Sequence, residues 1–290
     1  MQGCRRARGG IVGSGSTVPD LALLLALFFT ALALTPGGAA ADAIRITHAG
    51  AFPTGPSGVN PQGVAIGDFD GDEHPDIAVT NFAASTDVLW NDGGANFGDR
   101  QTLSNEISGM VAAADVDGDS HLDVVVGGGP GAAIFFSHGG RSFTGAQVLG
   151  TTFVGDLAIA DANGDGMLDV VVTEQGIDQI EVFFNEGGRQ FRGQRFEAGA
   201  SPTAVAVGFL DQANDVDIAV GGFWSSSISL LFSDGSGGFG DPLTLPAPNL
   251  VSGVAIGEFT GDSHMDVAAS RRGCFDGGSG TVCANAGLSV

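Results

Sequence analysis

One spacing governs this chain. A single pattern recurs five times: GVAIGDFDGDEHPDIAV from Gly63, GMVAAADVDGDSHLDVVV from Gly109, DLAIADANGDGMLDVVV from Asp156, TAVAVGFLDQANDVDIAV from Thr203 and GVAIGEFTGDSHMDVAA from Gly253. The last aspartates fall at Asp76, Asp123, Asp169, Asp217 and Asp266, at intervals of 47, 46, 48 and 49 residues. A second marker runs in phase: WNDGGANF ending at Phe97, FSHGGRSF at Phe143, FNEGGRQF at Phe191 and FSDGSGGF at Phe239. Two markers sharing one period indicate a repeat architecture rather than a single irregular core.

Each unit reads as four short strands. The first is Ala-rich, as in Val64-Ala65-Ile66, where small side chains suit a crowded position. The second is a β-branched run such as Asp123 to Val126, the pattern of a strand buried on both faces. The third is aromatic, Ile180 to Phe184, and ends in a Gly-Gly hairpin. The fourth is polar and alternating, as in Phe97 to Leu103, which suits an exposed edge. The expected fold is all-β, a β-propeller of four-stranded blades with about five repeats of ~47 residues. The ends are uneven. The fifth unit has two strands, then a Gly-rich stretch between Cys274 and Cys283, and a third strand would begin only at Gly287. Ile44 to Thr47 resembles a fourth strand, which could complete the last blade and hide two sheet edges. A chain cut inside a longer propeller is the alternative.

The N-terminus reads as an address. Arg5, Arg6 and Arg8 precede a 14-residue apolar run, Leu21 to Leu34, and then Ala39-Ala40-Ala41. A basic segment, an apolar core too short to span a bilayer comfortably and an A-x-A site make residues 1–41 a secretory signal. Residues 42–290 are then the mature propeller, with no membrane span, secreted or held in the cell envelope (periplasm or cell surface). In that compartment Cys274 and Cys283 are expected to form a disulfide.

Charge narrows the partners. The chain has 11 basic residues, all Arg, against 33 acidic ones, a formal net charge of −22. Nucleic acid is an unlikely partner for such a surface. The acids are not scattered. Between the first and second strands of unit one, carboxylates occupy positions 1, 3, 5 and 9 of a loop: Asp68, Asp70, Asp72 and Asp76, with Gly71 at position 4. Unit two has Asp115, Asp117, Asp119 and Asp123; unit three has Asp161, Asn163, Asp165 and Asp169; unit five has Glu258, Thr260, Asp262 and Asp266. Clustered carboxylates repel one another unless a cation sits among them. Calcium accepts six to eight mixed oxygen ligands, and alternate short side chains of a tight loop supply them. Position 7 would offer its main-chain carbonyl, consistent with the variety found there: His74, His121, Met167 and His264. Magnesium holds its waters too firmly, and zinc prefers Cys and His. About four Ca²⁺ sites are expected. Unit four keeps only Asp211 and Asp217 of the set and is expected to bind no metal, or to bind it poorly.

The loops Asp68-Phe69-Asp70-Gly71-Asp72, Asp115-Val116-Asp117-Gly118-Asp119 and Asp161-Ala162-Asn163-Gly164-Asp165, with the hairpin Asn185-Glu186-Gly187-Gly188 and Phe191, resemble the FG-GAP/VCBS repeat family. That family includes the calcium-binding blades of integrin α-subunit propellers. The resemblance covers roughly residues 44–290. It implies calcium-loop blades; for function it implies only a range, from adhesion and sugar binding to parts of lyases and other enzymes.

No catalytic constellation stands out. There is no G-x-S-x-G elbow, and the absence of Lys and Tyr removes Schiff bases and Tyr acids. Non-loop carboxylates such as Asp87, Asp156, Glu174 and Glu181 show no paired spacing. Trp90 and Trp224 could stack on a sugar, although core or rim packing is the commoner fate of such residues. The expected function is a monomeric secreted module that binds protein or glycan, with structural calcium. The alternative is the propeller domain of a secreted carbohydrate-active enzyme, a polysaccharide lyase or hydrolase.

Overall fold

The repeat becomes five antiparallel sheets in chain order. A computed structural model describes residues 60–271, apart from 83–84, 95, 130, 151, 248–249 and 263, together with 284–289. Unit one contains β1 (Pro61–Gly67), β2 (Asp76–Asn81), β3 (Ser85–Trp90) and β4 (Asp99–Ser104). Unit two contains β5 (Ser108–Ala114), β6 (Asp123–Gly129), β7 (Gly131–Phe135) and the short β8 (Gln147–Val148). Unit three contains β9 (Val154–Ala160), β10 (Asp169–Glu174), β11 (Gln179–Asn185) and β12 (Phe191–Glu197). Unit four contains β13 (Pro202–Gly208), β14 (Asp217–Gly222), β15 (Ser227–Leu231) and β16 (Leu243–Pro246). Unit five contains β17 (Val251–Gly257), β18 (Asp266–Arg271) and β19 (Ala284–Ser289).

Strands pair with their sequence neighbours in every sheet, giving four sheets of four strands and one of three. The second and third strands are buried along nearly their whole length, as their β-branched and aromatic runs require. The fourth strands β4 and β12 are the exposed, polar edge. Successive first strands lie beside one another, β1 by β5, β5 by β9, β9 by β13 and β13 by β17. Small residues are needed there. A Cβ at Gly109 of β5 would collide with the Gly127 carbonyl oxygen of β6.

The last unit differs from its sequence reading. Its third strand begins at Ala284, not Gly287, and pairs with β18 from Asp266 to Ser270. The expected signal (1–41), the closing strand at 44–47 and the cysteines Cys274 and Cys283 lie outside the described residues.

Loop position 2 couples the units. Phe69 is fully buried and shares a cluster with Trp90 of its own unit and Val124 and Phe135 of the next. Val116 joins Val170 and Phe183, Ala162 joins Ile218 and Leu231, and Leu210 joins Val267, each pairing a loop with the following unit. Phe259, at the same position of unit five, is 58% exposed. Phe69→Ala is therefore expected to cost about 3–5 kcal/mol in chemical unfolding, the range for emptying a fully buried aromatic site. Phe259→Ala should cost far less. Equal losses would contradict this account of inter-unit packing.

Candidate metal centre

Each acidic loop is built on its position-9 aspartate. Asp76, Asp123, Asp169, Asp217 and Asp266 are all 0% exposed. One carboxylate oxygen accepts the position-2 N–H: Phe69 at 3.0 Å, Val116 at 2.9 Å, Ala162 at 2.9 Å, Leu210 at 2.8 Å and Phe259 at 2.8 Å. In the first four units the other oxygen accepts the N–H that opens the hairpin: Asn91 at 2.8 Å, Ser137 at 2.9 Å, Asn185 at 2.7 Å and Ser233 at 2.9 Å. A buried N–H without an acceptor is costly, so this residue closes the unit before any ion is considered. The hairpin residue then reaches into the preceding unit. Ser137 donates to the Phe69 carbonyl at 3.1 Å and Asn185 to the Val116 carbonyl at 2.6 Å.

Position 1 organises the turn above it. Asp68 accepts the N–H groups of Gly71, Asp72 and Glu73, and Asp115 does the same for Gly118, Asp119 and Ser120. Position 4 has positive φ, 82° at Gly71 and 77° at Gly118, which glycine adopts without strain. Asp161 repeats the arrangement in unit three. Position 5 points elsewhere. Asp72, Asp119, Asp165 and Asp262 accept the N–H of position 7, and the rings of His74, His121 and His264 turn onto these same carboxylates. Met167 lies close to Gly187 of its own hairpin.

The result is three groups whose carboxylate oxygens lie within 4.8 Å of one another: Asp68, Asp70 and Asp76; Asp115, Asp117 and Asp123; and Asp211, Asp215 and Asp217. The first two contain positions 1, 3 and 9 of the expected ligand sets. The third lies in unit four, the loop expected to bind no metal or to bind it poorly. Asp215, at position 7, supplies the carboxylate that Phe209 and Ala213 lack, and its Oδ1 is buried without a hydrogen-bond partner. It was missed because it falls outside the 1-3-5-9 spacing. In unit three Asn163 takes position 3 and pairs with Asp165 through its amide and its carbonyl. In unit five Glu258 accepts the Gly261 N–H, and Asp266 accepts the N–H of Thr260 as well as that of Phe259. All-oxygen donor sets with an orphaned buried oxygen fit a hard divalent cation and do not fit zinc.

Burial pushes the position-9 carboxyls up. Asp123 and Asp169 reach about 6: burial is the largest cause, the backbone N–H bonds oppose it, and the nearby loop carboxylates add to it. Asp76 and Asp217 shift the same way, with burial again first.

Away from the loops, the structure brings together two carboxylates with no paired spacing in sequence. Arg195 donates to Glu174 at 2.5 Å and to Glu181 at 3.0 Å, and Thr152 donates to Glu174. Burial, followed by the charge of Glu174, pushes Glu181 up to about 7. Glu174 is 0% exposed and Glu181 8%. Trp90 is core, and Trp224 is 73% exposed with Phe223 edge-on to it at 4.8 Å.

Asp76→Ala should lower stability by about 2–3 kcal/mol already in EDTA, because two buried N–H groups lose their acceptor. Asp70→Ala, which removes one of the gathered oxygens, should lose more stability in Ca²⁺ than in EDTA. Denaturant melts of both variants, with and without EDTA, separate a structural carboxylate from one whose role is to hold an ion.

The pH dependence has a definite sign. An aspartate titrating at about 6 when folded and 3.8 when unfolded binds more protons in the folded state between those values. Stability then falls as pH rises through that window. Melting midpoints in EDTA should rise by several degrees from pH 7 to pH 5, and saturating Ca²⁺ should flatten this trend.

The FG-GAP-like repeat model matches residues 68–126 and, overlapping them, 115–172. A search of curated proteins finds no significant match. Among solved structures, a functionally unknown protein from Desulfotomaculum acetoxidans DSM 771 aligns with a TM-score of 0.51 at 16% identity, over 80% of this chain and 71% of its own. A lectin from Agrocybe aegerita, solved for its specific recognition of non-reducing terminal N-acetylglucosamine, aligns with a TM-score of 0.50 at 20% identity, over 77% of this chain and 65% of its own. This chain thus spans less than two thirds of the lectin's length. At such identities the likeness is one of fold. The sheets whose loops gather Asp68, Asp70 and Asp76, then Asp115, Asp117 and Asp123, are also those the family model covers, and over residues 68–172 the chain carries FG-GAP-like repeats.

Proposed function

We propose that this chain is a secreted β-propeller module that binds glycan, with calcium holding its loops in shape. The observation that carries the recognition half is Trp224. The acidic loops join first to second strands. The connections between second and third strands lie at the opposite end of each sheet, where Phe82, Ile177 and Trp224 are exposed, with Phe153 just before β9; Phe209 and Phe259 are exposed at the acidic-loop end. Trp224 is the most exposed large apolar side chain of the described residues, and a flat, exposed indole suits the apolar face of a sugar. The fold likeness to a lectin supports the same reading. Protein ligands remain within the same class of module.

For the loops, the residues that would hold Ca²⁺ are Asp68, Asp70 and Asp76, Asp115, Asp117 and Asp123, and Asp211, Asp215 and Asp217, with Asp161 and Asp169 in the third loop. A bound ion would neutralise carboxylates that otherwise repel one another, fixing the loop for the hairpin that packs on it. For the enzymatic alternative, the carboxylate pair that Arg195 joins, Glu174 and Glu181, is buried. The export reading rests on the N-terminal pattern of residues 1–41.

A glycan array tests this. Trp224→Ala should weaken the strongest signal by about 2 kcal/mol, a loss of ~30-fold, without shifting the melting midpoint. Binding unaltered by that change would remove the aromatic end from the site.

A further inference from the structure

The first two acidic loops each receive an arginine from the following unit. Arg141, in the hairpin of unit two, donates from Nε to Asp70 Oδ2 at 2.8 Å and also pairs with Asp92. Arg189, in the hairpin of unit three, donates from Nε to Asp117 Oδ2 at 2.7 Å. Both guanidinium groups lie over an aromatic ring of the unit they reach, 5.2 Å from the Trp90 centroid and 4.4 Å from that of Phe136. The Asp70 and Asp117 side chains are only 6% exposed. The third loop has the opposite pair. Asn163 stands at position 3, and the matching hairpin residue of unit four is Gly237, packed so closely on Asn163 and Phe184 that a Cβ would sit 3.1–3.2 Å from them.

The two arrangements carry the same charge. Positions 1, 3, 5 and 9 hold four carboxylates in loops one and two, each joined by one arginine, and three carboxylates in loop three, joined by none. Over these four positions and the arginine each loop sums to −3; Glu73 at position 6 of loop one, and Asp92 and Asp99, which Arg141 also meets, lie outside that count. The geometry points to Arg141 and Arg189 as built-in counter-ions of the first and second metal loops, supplied by the neighbouring unit. They hold two units together when a loop is empty and set its cation affinity to that of the arginine-free third loop. This inference rests on the calcium reading above, which treats the loops as cation sites but gives the hairpins no part.

The two possible effects of an arginine oppose each other. It fixes the position-3 carboxylate, which favours binding, and its charge repels a divalent ion. Fixing one Asp side chain is a small entropic gain, whereas a full charge beside a doubly charged ion acts in a partly buried, poorly screened place. Charge should win.

Calorimetric titration of the full mature chain with Ca²⁺ alone, paired with melts in EDTA, tests the assignment. Arg141→Gln should tighten one site about tenfold and lower the EDTA midpoint. Arg141→Lys, which keeps the charge and loses the fork, should leave affinity near that of the wild type. Asp70→Asn should weaken the site, and Asp70→Asn with Arg141→Gly, which rebuilds the third loop's pair, should restore it. Arg189→Gln should repeat the first result at loop two. Calcium binding by the wild type with unchanged or weaker affinity in both glutamine variants overturns the counter-ion role. Absence of calcium binding by the wild type overturns the calcium reading itself.

Discussion

The structure depends on a buried carboxylate at the start of each second strand. Asp76, Asp123, Asp169, Asp217 and Asp266 are carboxylates with no exposed surface, each accepting the position-2 backbone N–H of its loop. Desolvation resists this arrangement, which is why Asp123 and Asp169 titrate near 6. What favours it is that it supplies the acceptor for the position-2 N–H in every unit and for the hairpin N–H in the first four. The aspartate recurs even in units four and five, where other ligand positions have drifted to Phe209, Ala213 and Thr260. Its structural role does not require a cation.

From that carboxylate, contacts run outward through the chain. The position-2 N–H it accepts places the position-2 side chain in the next unit's core, as with Phe69 among Val124 and Phe135. The hairpin N–H it accepts aims Ser137 and Asn185 back at the preceding loop. The same hairpins carry Arg141 and Arg189 onto Asp70 and Asp117. Apolar packing, backbone hydrogen bonds and ion pairs therefore converge on one junction between successive units. Electrostatics at a loop and the docking of the next unit share the same atoms.

The two ends of the sheets have different chemistry. One gathers carboxylates, glycine turns and arginines, most of them bonded to one another, and also exposes Phe209 and Phe259. The other carries Phe82, Ile177 and Trp224 without comparable partners, and Trp224 is the most exposed large apolar side chain of the described residues.

The period, the strand order within a unit and the acidic loops were legible in the sequence because they are local. Alternation, β-branched runs and Gly turns act within ten residues, and Asp68, Asp70 and Asp76 reach one point through a single turn. Residue types from different units could not be brought together that way. The arginine clasp joins positions 70 and 141, 71 residues apart. The Glu174–Arg195–Glu181 group depends on sheet register, and the exposure of Trp224 against the burial of Trp90 depends on which end of a strand meets a neighbour. Asp215 was overlooked because a linear ligand spacing ignores the fold of the loop. Sequence alone determined a repeated β-unit with oxygen-rich turns, since backbone preference and side-chain period suffice for that. Only tertiary structure decided which carboxylate closes the unit, which is met by an arginine and which is left without a partner, because burial and contact arise between units.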